Sequence, residues 1–523
     1  MSRQADGRST VWPAWVIPGG LAVLFTVLVL FRPERLQLAG AAFAAAIVVL
    51  GLYPVLRFLR ASEPEPLPFF AALGVFYAVF FGFSAFLVDI IWPNGEPIFV
   101  YLMAPGLQRL SDEAMAAMFL GASSLLVVGL VANKAFRRIL PPLPISPARS
   151  EGVALGVAWV ALGIHFTGLL IPALRSLPSV GQLIIPLGNL GFGILLLLAL
   201  NGQMRRSMAI MVFGVLLAVR VVIGGQTGSM ASILLLPAFL GFLALVRNRR
   251  MGIIIVLVIC AVVSFGYAPL NQVRAVAAAE SPMPLARFAE VFRELPERLS
   301  RLDNFSGKVA ERCNKPLPFR AHTPATPAEY QACLEVETGP SYVPPTDQGG
   351  WALVATVLRQ AVKRVNQTAM FALVYEQTPS RVPYWGGDTL RPLLTSMVPR
   401  AVWPGKPEER AGQAFGWRYG LITDRDGDMS VNLSWLVEAF ANFGWLGLVV
   451  VMGLAGLVLA LLDAVLNRRG MGSLQLAVGA TVLFPLVNQE SNLSLTFGAT
   501  VPLLLALAFL VRFVTWAGQR MAR

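Results

Sequence analysis

The sequence predicts an all-α polytopic membrane protein with about twelve transmembrane helices, and three observations favour this. Hydrophobic residues make up 56% of the 523 residues and charged residues only 14%, which is too little charge to cover a soluble protein of this size. The mean hydropathy is +0.65. The apolar residues also fall into long blocks separated by short basic clusters, and a block of ~20 apolar residues can cross the hydrocarbon core.

Twelve such blocks divide the chain into three regions. Residues 1–270 hold nine blocks, residues 271–432 form a large hydrophilic loop, and residues 433–523 hold three blocks. The first block has no small-residue cleavage site behind it and other blocks follow, so we expect a span and not a cleaved signal. The blocks are residues 14–31, 38–59, 68–92, 113–133, 153–172, 181–200, 207–224, 230–246, 252–270, 433–462, 473–490 and 496–516.

Arginine and lysine then predict the orientation, because they favour cytoplasmic loops. With the N-terminus inside, the cytoplasmic short segments hold 18 of these residues and the external short segments hold 4. We therefore expect both termini in the cytoplasm and the large loop outside. The net charge of +13 is mostly this asymmetry, so it gives no reason to expect a nucleic-acid partner. The inside set is Arg3, Arg8, Arg57, Arg60, Lys134, Arg137, Arg138, Arg149, Arg205, Arg206, Arg247, Arg249, Arg250, Arg468, Arg469, Arg512, Arg520 and Arg523, and the outside set is Arg32, Arg35, Arg109 and Arg175.

Two of the three cysteines lie in the external loop. Cys313 and Cys333 are twenty residues apart, and an external compartment permits disulfides. We therefore expect Cys313 and Cys333 to be bonded. The alternative is two free thiols, which are unusual outside the cytoplasm. Cys260 lies in a predicted span and is expected to pack there.

The external loop has three parts. Residues 285–302 carry apolar positions at helical spacing, with a kink or break expected at Pro296. Residues 303–350 are rich in proline, so we expect an irregular cap. Residues 351–378 again form an amphipathic pattern, and their tryptophan and basic residues suit the membrane surface. A helix packed on the loop's own core is an equally good explanation of that pattern.

The usual signatures of metal and nucleotide chemistry are missing. The chain has two histidines, His165 in a predicted span and His322 in the loop, and no His or Cys cluster has metal-ligand spacing. No glycine-rich loop precedes a Lys-Ser/Thr pair. We therefore expect neither a metal nor a cofactor. His165 is most simply a hydrogen-bonded residue between helices.

Charged residues at membrane depth are a better clue, because they are costly there and usually mark a functional site. Asp89, Arg220, Glu438 and Glu490 all fall in predicted spans, and the predicted topology places all four in the outer half. An ion pair between helices is the simpler explanation for any one of them. It explains the whole set less well, because all four gather at one depth.

The densest signal runs from residue 384 to residue 446, where cationic and aromatic side chains alternate. Guanidinium groups suit phosphate oxygens, and aromatic faces suit sugar rings and membrane interfaces. The segment predicts a site for an anionic, partly polar ligand such as a lipid-linked diphosphate sugar. A basic loop that touches lipid headgroups is the alternative. The cations are Arg391, Arg400, Lys406, Arg410 and Arg418, and the aromatic residues are Trp385, Trp403, Trp417 and Tyr419.

Two sequence stretches in this region carry a resemblance. The first is Val398-Pro399-Arg400-Ala401-Val402-Trp403-Pro404-Gly405-Lys406-Pro407, preceded by Pro383-Tyr384-Trp385-Gly386-Gly387. The second is Leu436-Val437-Glu438-Ala439-Phe440-Ala441-Asn442-Phe443-Gly444. Together they resemble the O-antigen polymerase (Wzy-like) family of oligosaccharide repeat-unit polymerases, which have a Glu-Ala-x-x-Asn-Phe-Gly pattern at the start of a span. Arg274 is similar to an arginine that relatives carry just after the ninth span. The motif resemblance covers about residues 365–447.

The resemblance implies a metal-independent, GT-C-like glycosyltransferase of a bacterial inner membrane, with the large loop in the periplasm. It would join undecaprenyl-diphosphate-linked oligosaccharides into a surface or exopolysaccharide, alongside a flippase and a chain-length regulator. The diphosphate leaving group needs cations, and the acceptor hydroxyl needs a general base. The phosphate-binding candidates are Arg274, Arg400, Lys406 and Arg410, then Arg220 and Arg418. The base candidates are Glu438 and then Glu490, and the sugar-binding candidates are Trp403, Trp385, Tyr419 and Asn442.

Other functions share parts of this pattern. An O-antigen ligase has a similar layout but passes finished glycan to an acceptor. A lipid-glycan transporter or a non-catalytic assembly partner is the other alternative, although the uneven nine-plus-three layout argues against transport. The chain also departs from the family, because Gly228-Ser229-Met230 stands where many relatives have Gly-Ser-Arg. Arg220, about three helical turns earlier, is the residue that would substitute.

Overall fold

The structure is a computed structural model, and it describes eight main ranges of the chain. These are residues 16–91, 109–142, 151–171, 181–225, 230–247, 350–396, 410–422 and 430–521, with a few isolated residues between them. The ninth predicted span and the predicted disulfide between Cys313 and Cys333 lie outside the described residues. Arg274, Arg400 and Lys406 lie outside them as well.

The described ranges are helical, and they contain no β-strand. Two helices include a wider π-helical turn, at Ala78–Phe83 and at Ile210–Leu216. In chain order the helices are α1 (Val16–Leu30), α2 (Leu38–Arg60), α3 (Phe69–Phe86), α4 (Val88–Ile91), α5 (Asp112–Ile139), α6 (Glu151–Leu170), α7 (Gly181–Leu200), α8 (206–225), α9 (Met230–Arg247), α10 (Gly350–Val365), α11 (Gln367–Gln377), α12 (Pro392–Ser396), α13 (Ala411–Arg418), α14 (Trp435–Leu466), α15 (Ser473–Leu483), α16 (Leu493–Gly498) and α17 (Thr500–Met521).

Seven helical stretches in the described ranges are long and apolar enough to cross a bilayer. They comprise α2, α3, α5, α6, α7, α14 and the continuous stretch α16–α17. Shorter apolar helices occur in α1, α9 and α15. The chain is therefore a helical membrane protein, which confirms the predicted class. The block predicted at residues 207–224 is present as α8, with its π-helical turn.

Helices α5 and α14 pack closely because glycines face each other. A Cβ atom on Gly456 would lie 2.5 Å from the Leu125 carbonyl oxygen, and one on Gly129 would lie 3.3 Å from the Gly456 carbonyl oxygen. Further along both helices, the Asn133 side chain donates to the Ala460 carbonyl oxygen at 3.1 Å. Small residues allow such close approach in membrane helices. The residue numbers of the contacting positions increase in the same direction along α5 and α14, so the two helices run parallel.

A buried polar network ties α5 and α14 together at one end of the bundle. The Asp463 Oδ2 atom accepts hydrogen bonds from Arg137 at 2.7 Å and from Asn133 at 2.8 Å. Asn467 donates to Asp463 Oδ1 at 2.8 Å and to the Leu67 carbonyl oxygen at 2.9 Å. Each oxygen of the buried carboxylate has a donor, as a stable buried network requires. Segments predicted to be cytoplasmic thus meet at this end.

At the opposite end, α11 is inserted among the membrane helices. The helical backbone is interrupted between α10 and α11 at Asn366. The Asn366 side chain caps α11 by accepting the Ala369 N–H at 3.0 Å. The wide turn of α3 leaves carbonyl groups open to side chains, and Thr368 donates to the Phe81 carbonyl oxygen at 2.9 Å. Asn366 also donates to the Ser84 carbonyl oxygen at 3.2 Å. The segment 351–378 therefore differs from both sequence interpretations, because its second half packs against α3, α5 and α14.

Candidate functional site

The candidate site residues in the described ranges gather where α14 begins. Gly444 interrupts this helix with φ 60° and ψ −140°. The 22 residues from 445 to 466 rise about 33 Å at 1.5 Å per residue, which is enough to cross a core of about 30 Å. Residues 435–443 are therefore not needed for the crossing, and they lie at the end of α14 opposite the Asp463 network.

The turn of residues 385–389 is latched to α14 through Asn442. The Trp385 N–H donates to the Ala441 carbonyl oxygen at 3.0 Å, and the Gly387 N–H donates to Asn442 Oδ1 at 2.9 Å. The Asn442 amide then donates to Thr389 Oγ1 at 2.7 Å. Asn442 is only 1% exposed. The predicted sugar-binding amide is thus engaged by the protein and holds this turn in place.

Glycines permit the close approach of the same turn to α14. Gly386 and Gly387 have φ angles of 60° and 95°, a region that favours glycine. A Cβ atom on Gly444 would lie 2.6 Å from Tyr384 Oη. The Asn-Phe-Gly end of the sequence pattern therefore has a physical reason, since Asn442 fixes the turn and Gly444 makes room for it.

A second turn, residues 488–494, faces the start of α14 and is held by buried contacts. Leu493 N–H donates to Glu438 Oε2 at 2.7 Å, and Glu438 is fully buried. The Tyr77 hydroxyl donates to Gln489 Oε1. The Gln489 carbonyl oxygen accepts the Trp435 N–H at 3.3 Å. Glu438 thus positions the 488–494 turn.

Arg364 at the end of α10 forms a two-pronged ion pair with Glu490 in the 488–494 turn. Its Nη1 and Nη2 atoms contact Oε1 and Oε2 of the carboxylate. The arginine side chain is 36% exposed and the glutamate side chain 7%. The second base candidate is therefore held by a cation that the sequence interpretation did not include.

A pocket of about 340 Å³ lies between α13 and the 488–494 turn. Arg410, directly before α13, is the one charged residue among those that line it in the described part of the chain. Polar groups predominate around it, so the pocket suits an anionic or hydroxyl-bearing ligand. The polar lining residues are Arg410, Gln413, Ser430, Asn432, Ser491 and Asn492.

Two further candidates contact each other beside this pocket region. The Arg418 guanidinium lies over the Trp385 ring at 4.4 Å, a cation–π geometry, and it donates to the Pro383 carbonyl oxygen at 3.0 Å. Tyr419 is 2% exposed, and its hydroxyl lies 2.6 Å from Thr378 Oγ1. Burial raises the pKa of the Tyr419 phenol, and the Thr378 hydrogen bond opposes that shift. Tyr419 is therefore a packed interior residue that follows Arg418 in the chain.

The remaining candidates are spread more widely. Trp403 is 42% exposed, and Arg220 is buried in α8 and does not line the pocket. Asp89 pairs at 3.4 Å with Arg35, which lies in the connection between α1 and α2. Asp89 is thus in an ion pair, although its partner is not on a second helix. His165 lies 2.7 Å from the Ile184 carbonyl oxygen, consistent with a hydrogen-bonded residue between helices.

Sequence reasoning missed Arg364 as a site residue. It stands on the polar face of an amphipathic helix next to Lys363, and its spacing differs in no way from that of an ordinary solvated cation. Only the approach of Glu490, 126 residues away, distinguishes it. Within the described ranges, no group of three or more His, Cys, Asp or Glu residues could hold a metal ion.

One family model matches part of the chain. It is described as "Domain of unknown function (DUF8712)" and covers residues 355–490. The matched segment begins in α10 and ends at Glu490, so it contains Arg364, the Asn442 latch and Glu438. No curated protein and no solved structure matches the chain.

Proposed function

We propose that this protein is a membrane glycosyltransferase that polymerises undecaprenyl-diphosphate-linked oligosaccharide repeat units at the outer face of a bacterial inner membrane. The observation that carries the proposal is the pocket beside α13. It combines the Arg410 cation with a wall that Glu438 positions and that follows directly on Glu490 in the chain. This arrangement lies at the end of α14 opposite the Asp463 network, which in the proposed topology is where the head of a lipid-linked substrate would be.

The proposal includes twelve spans in a GT-C-like arrangement, with both termini in the cytoplasm and the large loop in the periplasm. The parallel packing of α5 and α14 supports it. Two parallel spans must be separated by an odd number of crossings. The sequence predicts five between them, which satisfies this condition.

In the proposed reaction, an acceptor hydroxyl oxygen attacks the anomeric carbon of the growing chain. The bond from that carbon to the lipid diphosphate breaks, and the bonding electrons leave with the diphosphate. Cations that contact the departing oxygens stabilise their charge. Arg410 is the described residue proposed for this role, together with Arg274, Arg400 and Lys406 from the sequence pattern.

The proton of the acceptor hydroxyl needs a carboxylate to receive it. Glu438 is the proposed base and Glu490 the second candidate. In the structure both carboxylates bind protein donors, namely Leu493 N–H and Arg364. Catalytic hydrogen bonds often form only in the substrate complex, so these contacts are compatible with the proposed roles.

The test is the lipid-linked glycan profile of the native host after deletion of the gene and after complementation. Deletion should leave single repeat units on the carrier with no long chains. Long chains stranded on the carrier would instead indicate the ligase, and an unchanged profile would contradict both enzymes.

Complementation with Arg410→Ala locates the chemistry in the pocket. Loss of a cation that stabilises the leaving group should lower polymerisation ~100-fold or more. The matched control is Arg391→Ala, because the Arg391 side chain is 81% exposed and pairs with Asp388, three residues away in the chain. Normal chains with Arg410→Ala, at normal protein level, would remove Arg410 from the proposed mechanism.

A further inference from the structure

The ion pair between Arg364 and Glu490 is built differently from the other contacts of the 488–494 turn. The contacts of Glu438 and of Gln489 are buried. The Arg364 side chain, in contrast, is 36% exposed. Part of the Arg364 side chain is therefore accessible from the surface.

The pair is connected to the pocket wall through the 488–494 turn. Glu490 immediately precedes Ser491, and Ser491 and Asn492 line the pocket. Arg410 is the one charged lining residue in the described chain. A diphosphate ester carries a negative charge on each phosphate, so Arg410 alone does not neutralise it. Arg364 is a cation whose side chain contacts the turn that forms part of the pocket wall.

The turn does not depend on Arg364 for its position. If Arg364 released Glu490, the contacts from Tyr77 to Gln489 and from Leu493 to Glu438 would still hold both ends of the turn. Exchange of the arginine's partner thus leaves the pocket wall in place. Guanidinium forks fit carboxylates and phosphates with similar two-pronged geometry.

We infer that the Arg364–Glu490 pair is an exchangeable anion site. In the structure Glu490 occupies the Arg364 guanidinium, and a phosphate-bearing ligand in the pocket would replace it. The same exchange releases the Glu490 carboxylate toward the pocket only when the ligand is present. That the natural ligand is a lipid-linked diphosphate rests on the proposed function, whereas the exchange itself does not.

The experiment measures binding of inorganic pyrophosphate to the purified full-length protein in detergent micelles. Because Glu490 competes with the ligand, Glu490→Gln should tighten binding ~tenfold, and Arg364→Gln should weaken it ~tenfold or more. The double variant should match Arg364→Gln, since removal of the competitor matters only when Arg364 is present. If Arg364→Gln does not fold, Arg364→Lys keeps the charge, loses the fork, and should weaken binding by a smaller factor.

The matched control is the exposed pair Arg469–Glu63 at the other end of the bundle, where the same neutral substitutions should leave binding unchanged. If the pair had only a structural role, Glu490→Gln and Arg364→Gln should both weaken pyrophosphate binding. The inference would be overturned by that result, by unchanged binding in Glu490→Gln, or by the absence of binding to the unsubstituted protein. If the exchange is observed but the deletion strain makes normal chains, the proposed function fails and the anion site stands.

Discussion

Glu438 lies fully buried in the first turn of α14, and its Oε2 atom accepts the Leu493 N–H at 2.7 Å. This contact by itself gives the carboxylate a structural role, because it fixes the turn that forms the pocket wall. The proposed catalytic role needs the same group to accept a proton. The two roles can be separated, because an amide oxygen can replace a carboxylate oxygen as a hydrogen-bond acceptor but is not a comparable base.

Glu438→Gln should therefore keep the fold and lose the chemistry. The glutamine carbonyl oxygen can still accept the Leu493 N–H, so we expect nearly unchanged thermal stability in detergent. Turnover of lipid-linked repeat units should fall ~100-fold or more, the range typical for loss of a general base. Unchanged turnover would leave Glu438 as a positioning residue only. The comparison variant Glu438→Ala should lower stability as well, because it leaves the buried Leu493 N–H without its acceptor.

At the scale of elements, α14 combines a membrane span with a short helical segment that belongs to the site. Gly444 separates the two parts through its positive φ of 60°. The segment 435–443 can thus turn away from the span and present Asn442 to the 385–389 turn. A continuous helix would carry Asn442 along the span axis and disrupt this latch.

Gly444→Ala should destabilise the protein by about 2 kcal/mol or more. A side chain is strained at this backbone conformation, and its Cβ atom would lie 2.6 Å from Tyr384 Oη. The matched control in the same helix is Gly453→Ala, where a Cβ atom meets nothing within 4 Å. That control should be neutral or slightly stabilising, because alanine favours a helix over glycine. Equal unfolding curves for the two variants in detergent would contradict a required kink.

At the scale of the whole molecule, the two ends of the helical bundle differ in character. One end is closed by the satisfied network around Asp463, with Arg137 and Asn467. The other end carries the pocket, the 385–389 turn and the Arg364–Glu490 pair. The charge bias of the short loops assigns the first end to the cytoplasm, and the proposed function requires the second end to face outward.

Cysteine labelling tests this assignment. In a background with Cys260, Cys313 and Cys333 replaced by serine, a membrane-impermeant maleimide should label Asp388→Cys in intact spheroplasts. Glu63→Cys should react only after permeabilisation. Both side chains are accessible, at 52% and 77% exposure, so access to the compartment decides the result. The opposite labelling pattern would reverse the topology and remove the proposed periplasmic site.

Part of the site could be anticipated from the sequence. The pattern that contains Asn442 and Gly444 predicted a site at the start of α14. In the structure Asn442 binds the Gly387 N–H there, and Gly444 lies against Tyr384. Their roles could not be anticipated. A pattern of Asn and Gly does not reveal that the amide binds Thr389 and Gly387 or that the glycine accommodates Tyr384.

The sequence by itself determined the membrane class and the position of the long apolar helices, because the hydrophobicity of a segment is a local sum over about 20 neighbouring residues. Only the tertiary structure decided that α11 lies among the spans, that α5 and α14 run parallel, and that Arg364 pairs with Glu490. These features depend on which distant segments come into contact. Contact across 126 residues of chain is set by the packing of whole helices, and no local pattern encodes it.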